Sequence, residues 1–286
     1  MNQNHDFSQD ALVLIGHGST LNADSAAPTY QHADELRRRK LFARVQEAFW
    51  KQEPYVWQVL RGIFAPRVFL VPLFISEGYF TDEVIPRELG FDPRPGASFP
   101  RARQREGQTL HYCGPVGTHP SMTEVLLARA RAIVEQFPFP RAPKPCETAL
   151  FIAGHGTTNN ENSRQAIEQQ VQLIRAKEIY GEVQAAYMEE EPRIGDCYSR
   201  ARARNIVMVP FFISDGLHSH EDIPVLLGAP RSVVRERLKL GQPTWRNPTE
   251  REGKRLWYTA SIGSEPHLAD VIMERVREAA AAGSLS

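Results

Sequence analysis

The stretch ALFIAGHGTTNNE, residues 149–161, decides the fold because the chain carries it twice. Residues 11–23 read ALVLIGHGSTLNA, with seven identities in thirteen positions at an offset of 138. Each copy is a short apolar run that stops at Gly-His-Gly. Such a run is the pattern of a strand buried on both faces, and flanking glycines let the backbone turn sharply where it ends. The same offset relates VQEAFWKQEP (45–54) to VQAAYMEEEP (183–192), and VFLVPLFISEG (68–78) to IVMVPFFISDG (206–216). Further on, CGPVGTHPSM (113–122) matches TASIGSEPHL (259–268) at an offset of 146. Four blocks in one order make the chain a duplicated domain. The halves are read as 1–140 and 141–286. Between them FPFPRAPKPCE (137–147), with four prolines, predicts a semi-extended linker. The change of offset places a net insertion in the second half, within 229–255.

Each half repeats one order of elements. VQAAYM (183–188) and LWYTASIG (256–263) read as further strands. ENSRQAIEQQVQLIRAKEIYG has apolar residues at 167, 171, 174 and 179, which predicts a helix closing on Gly181. PHLADVIMERVREAAAA (266–282) and PSMTEVLLARARAIVEQF (120–137) predict a matching pair of helices that open on proline. Strands alternating with helices imply an α/β fold, with βαβ units and parallel sheets. FDPRPGASFPRARQREGQ (91–108), rich in Pro and Arg and without periodicity, is expected to be a long loop.

Composition narrows the function. With 34 basic and 34 acidic residues the formal charge is zero, so no global field draws nucleic acid, and no such partner is expected. No apolar stretch reaches the length of a membrane span, and the first residues carry no export signal. Cys113, Cys146 and Cys197 form no CxxC, which argues against a structural zinc or iron–sulfur site and fits a reducing cytoplasm. Arg outnumbers Lys 28 to 6, and guanidinium forks suit a polycarboxylate ligand.

In open α/β sheets ligands sit beyond the carboxyl ends of the strands, where both Gly-His-Gly turns fall. FFISDGLHSHEDIP (211–224) adds His218 and His220 at the same edge, with Glu221 and Asp222 beside them. Read as an extended segment, it either lets both imidazoles approach one ion or leaves one, His220, pointing outward at the rim. Asp222 either orients an imidazole or caps the helix that follows. Two imidazoles without a thiolate make an open site, suited to a first-row divalent ion held briefly or to a general base near neutral pH.

A His-Gly-[Ser/Thr] turn after one strand, then Gly-x-His-x-x-x-Asp-Ile-Pro after a later one, resembles the CbiX/SirB-type class II tetrapyrrole chelatases, the sirohydrochlorin chelatases. The second half matches through GHGTT, AAYMEEEPRI and VPFFISDGLHSHEDIP, the first through GHGST, AFWKQEP and VPLFISEGYFTDEVIP. The resemblance implies two tandem chelatase-like, flavodoxin-like domains with a cleft between the halves. It implies insertion of Co²⁺, Fe²⁺ or Ni²⁺ into a sirohydrochlorin-type ring, with the ion as substrate and no tightly bound cofactor. His155 and His218 match the family's two histidines and Asp222 the Asp of Asp-Ile-Pro. With the residues read from the segment itself, the candidate metal set is His155, His218, His220 and Glu221, with Glu189, Asp222 and His17 in support. Rings of this type bear eight carboxylates, for which Arg164 and Arg193 are the candidate contacts. Internal duplication implies a monomer or a weak homo-oligomer. The non-catalytic alternative is a metal or tetrapyrrole carrier on the same scaffold.

The first half has Phe80 where the second has His218, and Val84 where it has Asp222, so repeat 1 is expected to be degenerate and repeat 2 to hold the site. Two other hydrolytic or transfer chemistries are set aside. A histidine phosphatase needs Arg before its His, where Gly16 and Gly154 stand, and the chain has no Gly-x-Ser-x-Gly elbow.

Overall fold

The computed structural model of the chain describes residues 5–20, 23–92, 99–156 and 161–283. These form two compact units, one of residues up to 119 together with those from 266 onward, the other of residues 120–265. Each contains one five-stranded sheet. In the first unit β1 (Ala11–Gly16), β2 (Arg44–Phe49), β3 (Arg67–Pro72), β4 (Ala102–Arg105) and β5 (Gln108–Tyr112) lie in the order β2-β1-β3-β5-β4. In the second, β6 (Thr148–Gly154), β7 (Glu182–Tyr187), β8 (Asn205–Pro210), β9 (Thr249–Arg251) and β10 (Lys254–Tyr258) repeat it as β7-β6-β8-β10-β9. All neighbours are parallel except the hairpins β4–β5 and β9–β10.

The apolar runs behave as their composition requires. Every residue of β1 and of β6 is buried. One face of β6 places Ala149, Phe151 and Ala153 in a core with Met208, Ile206, Leu256 and Tyr258. Burying a side chain such as Phe151 contributes about 2–3 kcal/mol. Helices α1 (Ala27–Arg39), α2 (Met122–Gln136), α3 (Glu161–Arg175) and α5 (Leu268–Gly283) pack on the sheets, while α4 (Arg231–Lys239) packs on the turns at His218–Asp222 and Ile223–Leu226. Helix α3 buries Ala166, Ile167, Val171 and Ile174, an apolar stripe at helical spacing, against β6 and β7, and beside it Gln170, which accepts a hydrogen bond from Thr123 of α2 at 2.8 Å.

The last helix of each repeat is exchanged. Helix α2 follows β5 in the chain, yet it packs on β8, β10 and α3 of the second unit. Helix α5 follows β10 and packs on β3, β5 and α1 of the first. Arg39 donates to Asp270 at 2.6 Å, and Arg275 donates twice to the carbonyl of Pro115 at 3.0 and 2.8 Å. The expected division at 140/141 therefore separates the sequence repeats, while the compact units change over at 119/120 and 265/266. The cause is where the apolar faces of α2 and α5 find their sheets.

Three local expectations change. Within 91–108, residues 93–98 lie outside the described residues, and Ala102–Arg105 is not loop but the antiparallel edge strand β4. Its turn, Glu106-Gly107, has φ of 50° and 80°, the left-handed pair of a tight hairpin, and Glu252-Gly253 repeats it with 50° and 73°. The helix expected to close on Gly181 ends at Arg175, and Glu178 takes φ 54°. The segment around His218 is not extended but helical. His218–Asp222 is one turn of π-helix, closed by the Ile223 N–H on the His218 carbonyl, and it runs into a short α-turn at Ile223–Leu226.

Candidate active site

The site lies in the second unit, at the carboxyl ends of β6 and β8. His155 stands at the end of β6, and Gly156 after it has φ 67°, a left-handed conformation that glycine takes without strain. A Cβ at Gly156 would sit 2.6 Å from Tyr187 Cβ and 2.7 Å from Glu190 Cγ. The carbonyl of His155 accepts the backbone N–H of Met188 and of Glu189, at 3.1 and 3.2 Å, which ties the turn to the loop after β7. The imidazole is about a quarter exposed, and its Nδ1 is buried without a hydrogen-bond partner. Its Nε2 is 3.8 Å from Glu189 Oε1.

The His218 ring meets that of His155 edge to face, with centroids 4.9 Å apart and planes at 82°. Because the segment is helical, Asp222 lies one turn on from His218, and His218 Nδ1 is 2.8 Å from Asp222 Oδ2. With the proton on Nδ1, the Nε2 lone pair is left available to a metal ion or a proton. Half of the His218 side chain is exposed. Phe212 flanks the ring at 6.2 Å.

The structure thus brings together His155, His218, Asp222 and Glu189. It does not bring His220 or Glu221 to them. Helical winding turns position 220 away from position 218, and Glu221 Oε1 is held by Arg231 and Arg235 of α4, at 3.1 and 2.8 Å. Arg164 donates to Glu190 Oε2 at 2.9 Å and stacks over Tyr187, whereas Arg193 is half exposed, 3.4 Å from Glu191. Thr157 of the GHGTT motif lies outside the described residues. Among the described residues no group of three His, Cys, Asp or Glu is assembled tightly enough to enclose an ion, so the centre is an open imidazole pair. Burial pushes the Cys113 and Cys197 thiols up to about 12, which keeps both as thiols at neutral pH.

Sequence reasoning missed Glu190, whose Oε1 is buried without a partner beside this loop, and the serines beneath the His218 turn. The run Glu189-Glu190-Glu191, set against Lys51-Gln52-Glu53 in the first half, was the signal available.

The first unit shows the same scaffold with other contents. His17 Nδ1 bonds the carbonyl of Gly18 at 2.9 Å, and its ring packs against Phe80, Trp50 and Phe74 at 5.2, 5.7 and 6.3 Å. Burial, with a smaller contribution from Lys51, holds the His17 imidazole below its ordinary pKa. Phe80 fills the place of His218, and Lys51 that of Glu189.

The two-repeat α/β architecture is that of a protein with structural similarity to chelatases. The chain belongs to the CbiX family, whose model matches residues 11–133 and 149–279. It is 42% identical over 281 residues to a probable sirohydrochlorin cobaltochelatase of Halobacterium salinarum, covering 95% of this chain and 92% of that one. It is 30% identical over 132 residues to the chloroplastic sirohydrochlorin ferrochelatase of Arabidopsis thaliana, covering 45% of this chain and 51% of that protein. Among solved structures, a multi-domain protein of Deinococcus radiodurans with structural similarity to chelatases superposes with a TM-score of 0.74 at 30% identity. That match covers 94% of this chain, which spans 55% of the length of that protein.

Proposed function

We propose that the chain inserts a divalent first-row ion, Co²⁺, Fe²⁺ or Ni²⁺, into a sirohydrochlorin-type tetrapyrrole. The observation that carries this reading is the pair of imidazoles 4.9 Å apart, one of them oriented by a carboxylate at 2.8 Å. Insertion exchanges one divalent ion for two ring N–H protons, so the site must offer both a weak ion hold and two proton acceptors. His155 and His218 supply both, because a neutral imidazole is a metal ligand and a base in the same pH range. Two ligands bind an ion loosely enough to release it to four ring nitrogens, so the ion passes through as substrate and no resident cofactor is called for. Glu189, mostly exposed and near His155, is the entry ligand for the hydrated ion. Asp222 holds the His218 tautomer. Arg193 is the candidate for a peripheral ring carboxylate, since Arg164 is engaged by Glu190.

The names of the relatives, a cobaltochelatase and a ferrochelatase, support cobalt and iron. The test is anaerobic insertion followed by the absorbance of sirohydrochlorin with each ion in turn. Acceleration over the uncatalysed rate, lost in His155→Ala and His218→Ala, is the expected result. No acceleration by folded protein with any of the three ions would sink the proposal.

A further inference from the structure

The two repeats provide an internal control for what the His218 turn needs. Both units tie this turn down through a buried tyrosine. Tyr258 OH donates to the Ser219 carbonyl at 2.8 Å, and Tyr112 OH donates to the Thr81 carbonyl at 2.8 Å. That tie belongs to the scaffold, since it is present with and without the imidazole pair.

Two further ties beside the pair have no counterpart among the described residues of the first unit. Below the turn, Ser219 Oγ and Ser261 Oγ are 2.7 Å apart and both residues are buried, while the Ser261 N–H donates to Asp215 Oδ1 at 2.8 Å. In the first unit Pro115 stands at the place of Ser261 and has neither hydroxyl nor N–H, and the Thr81 hydroxyl turns to Gly78 instead. Beside the turn, α4 brings Arg231 and Arg235 onto the single oxygen Glu221 Oε1, and the Glu221 side chain is only 13% exposed. Helix α4 lies in the segment 229–255 by which the second half is longer. Among the described residues the first unit has no helix between Glu88 and Ala102.

The π-turn itself belongs to the scaffold as well, since Tyr79–Val84 forms one in the first unit beside Pro115, so what the further ties add in the second unit is the placement of the side chains the turn carries. His218 and Asp222 sit at its two ends, and a misplacement of ~1 Å at a reacting group costs on the order of 10²-fold in rate. We infer that α4, through Arg231 and Arg235 on Glu221, and Ser261, through Ser219, are positioning elements that fix the His218–Asp222 turn for metal binding. The inserted segment is thereby part of the site's support. This inference rests on the proposed metal chemistry of the pair.

The experiment compares Arg231→Ala/Arg235→Ala with Arg231→Lys/Arg235→Lys, and Ser261→Val with Ser261→Thr, in the full chain. Each is read for Co²⁺ binding by the visible spectrum of the ion, and for insertion kinetics with the ring and Co²⁺ varied separately. The alanine pair and the valine variant are expected to raise half-saturating Co²⁺ roughly tenfold, the low end for outer partners of metal ligands. The KM for the ring stays near the wild-type value, and the Lys and Thr variants return Co²⁺ binding toward wild type. Unchanged Co²⁺ binding in the alanine and valine variants would overturn the inference. So would a parallel loss of ring binding and stability that Lys and Thr do not rescue. Wild-type protein that inserts nothing, yet shows this pattern of Co²⁺ binding, removes the proposed reaction and upholds the positioning role.

Discussion

His218 and Asp222 form an imidazole–carboxylate pair across one turn of helix, Nδ1 to Oδ2 at 2.8 Å. The pair fixes which ring nitrogen is free. Asp222→Asn keeps the size of the side chain and removes the charge that makes the ring a better donor. Half-saturating Co²⁺ is expected to rise on the order of 10- to 100-fold. A titration of the ion in the insertion assay checks it, and a wild-type value would leave Asp222 as a helix residue only.

His155→Ala and His218→Ala each remove a proton acceptor, and insertion is expected to slow by on the order of 10²–10⁴. His17→Ala touches an imidazole packed among Trp50, Phe74 and Phe80 and should keep nearly the full rate. Equal losses in all three variants would place the chemistry in both units.

The repeats also allow the centre to be rebuilt where it is missing. Phe80→His with Val84→Asp and Lys51→Glu gives the first unit the three side chains that the second has at 218, 222 and 189. Equilibrium dialysis against Co²⁺ should then find one additional bound ion per chain. Stoichiometry identical to that of the parent would show that these side chains do not suffice on the bare scaffold.

Gly156→Ala combines a left-handed φ of 67° with a Cβ 2.6 Å from Tyr187 Cβ. The backbone alone costs about 1–2 kcal/mol, and relieving the contact moves the His155 turn. Chemical denaturation of the variant should show a loss of at least that size, accompanied by reduced insertion. A fully stable variant would mean that the turn adopts another conformation.

Stability should depend on pH through His17 and His111. Burial is the first cause holding both below the ordinary value of 6.5, with Lys51 acting on His17 and Arg67 on His111. A histidine whose pKa is lowered by folding binds its proton more readily in the unfolded chain. Stability is therefore full above about 6.5 and declines as pH falls below it. Melting temperatures measured from pH 7.5 to 5 should drop, with a shallower slope in His111→Phe, which can retain the stack on Phe69. An unchanged slope would assign the pH dependence to other groups.

Much of this fold is legible in the chain because its strands are short apolar runs that recur in register. Residues 11–16 and 148–154 announce themselves by composition alone. The edge strand β4 hides because an exposed antiparallel edge needs no apolar alternation, and Ala102-Arg103-Gln104-Arg105 has none. Its trace was the recurring Arg-Glu-Gly at 105–107 and 251–253. At the site, His155, His218 and Asp222 follow from the motif, but their geometry does not. An extended reading aligns His218 with His220, and helical winding aligns it with Asp222 instead. Glu221 looks like a ligand until the structure shows two arginines on it. Those partners come from a helix ten residues on, a distance over which side-chain pairing leaves no pattern in the sequence.

The exchange of α2 and α5 bears on how such a chain can change over generations. Because Val271, Ile272 and Val276 of α5 are buried in the unit built from the first repeat, a gene cut at residue 140 encodes a sheet stripped of its own cover. The complementary piece lacks α2 in the same way. The half that carries Phe80 and Val84 is thus a lender and borrower of helices, a structural role separate from the imidazole pair.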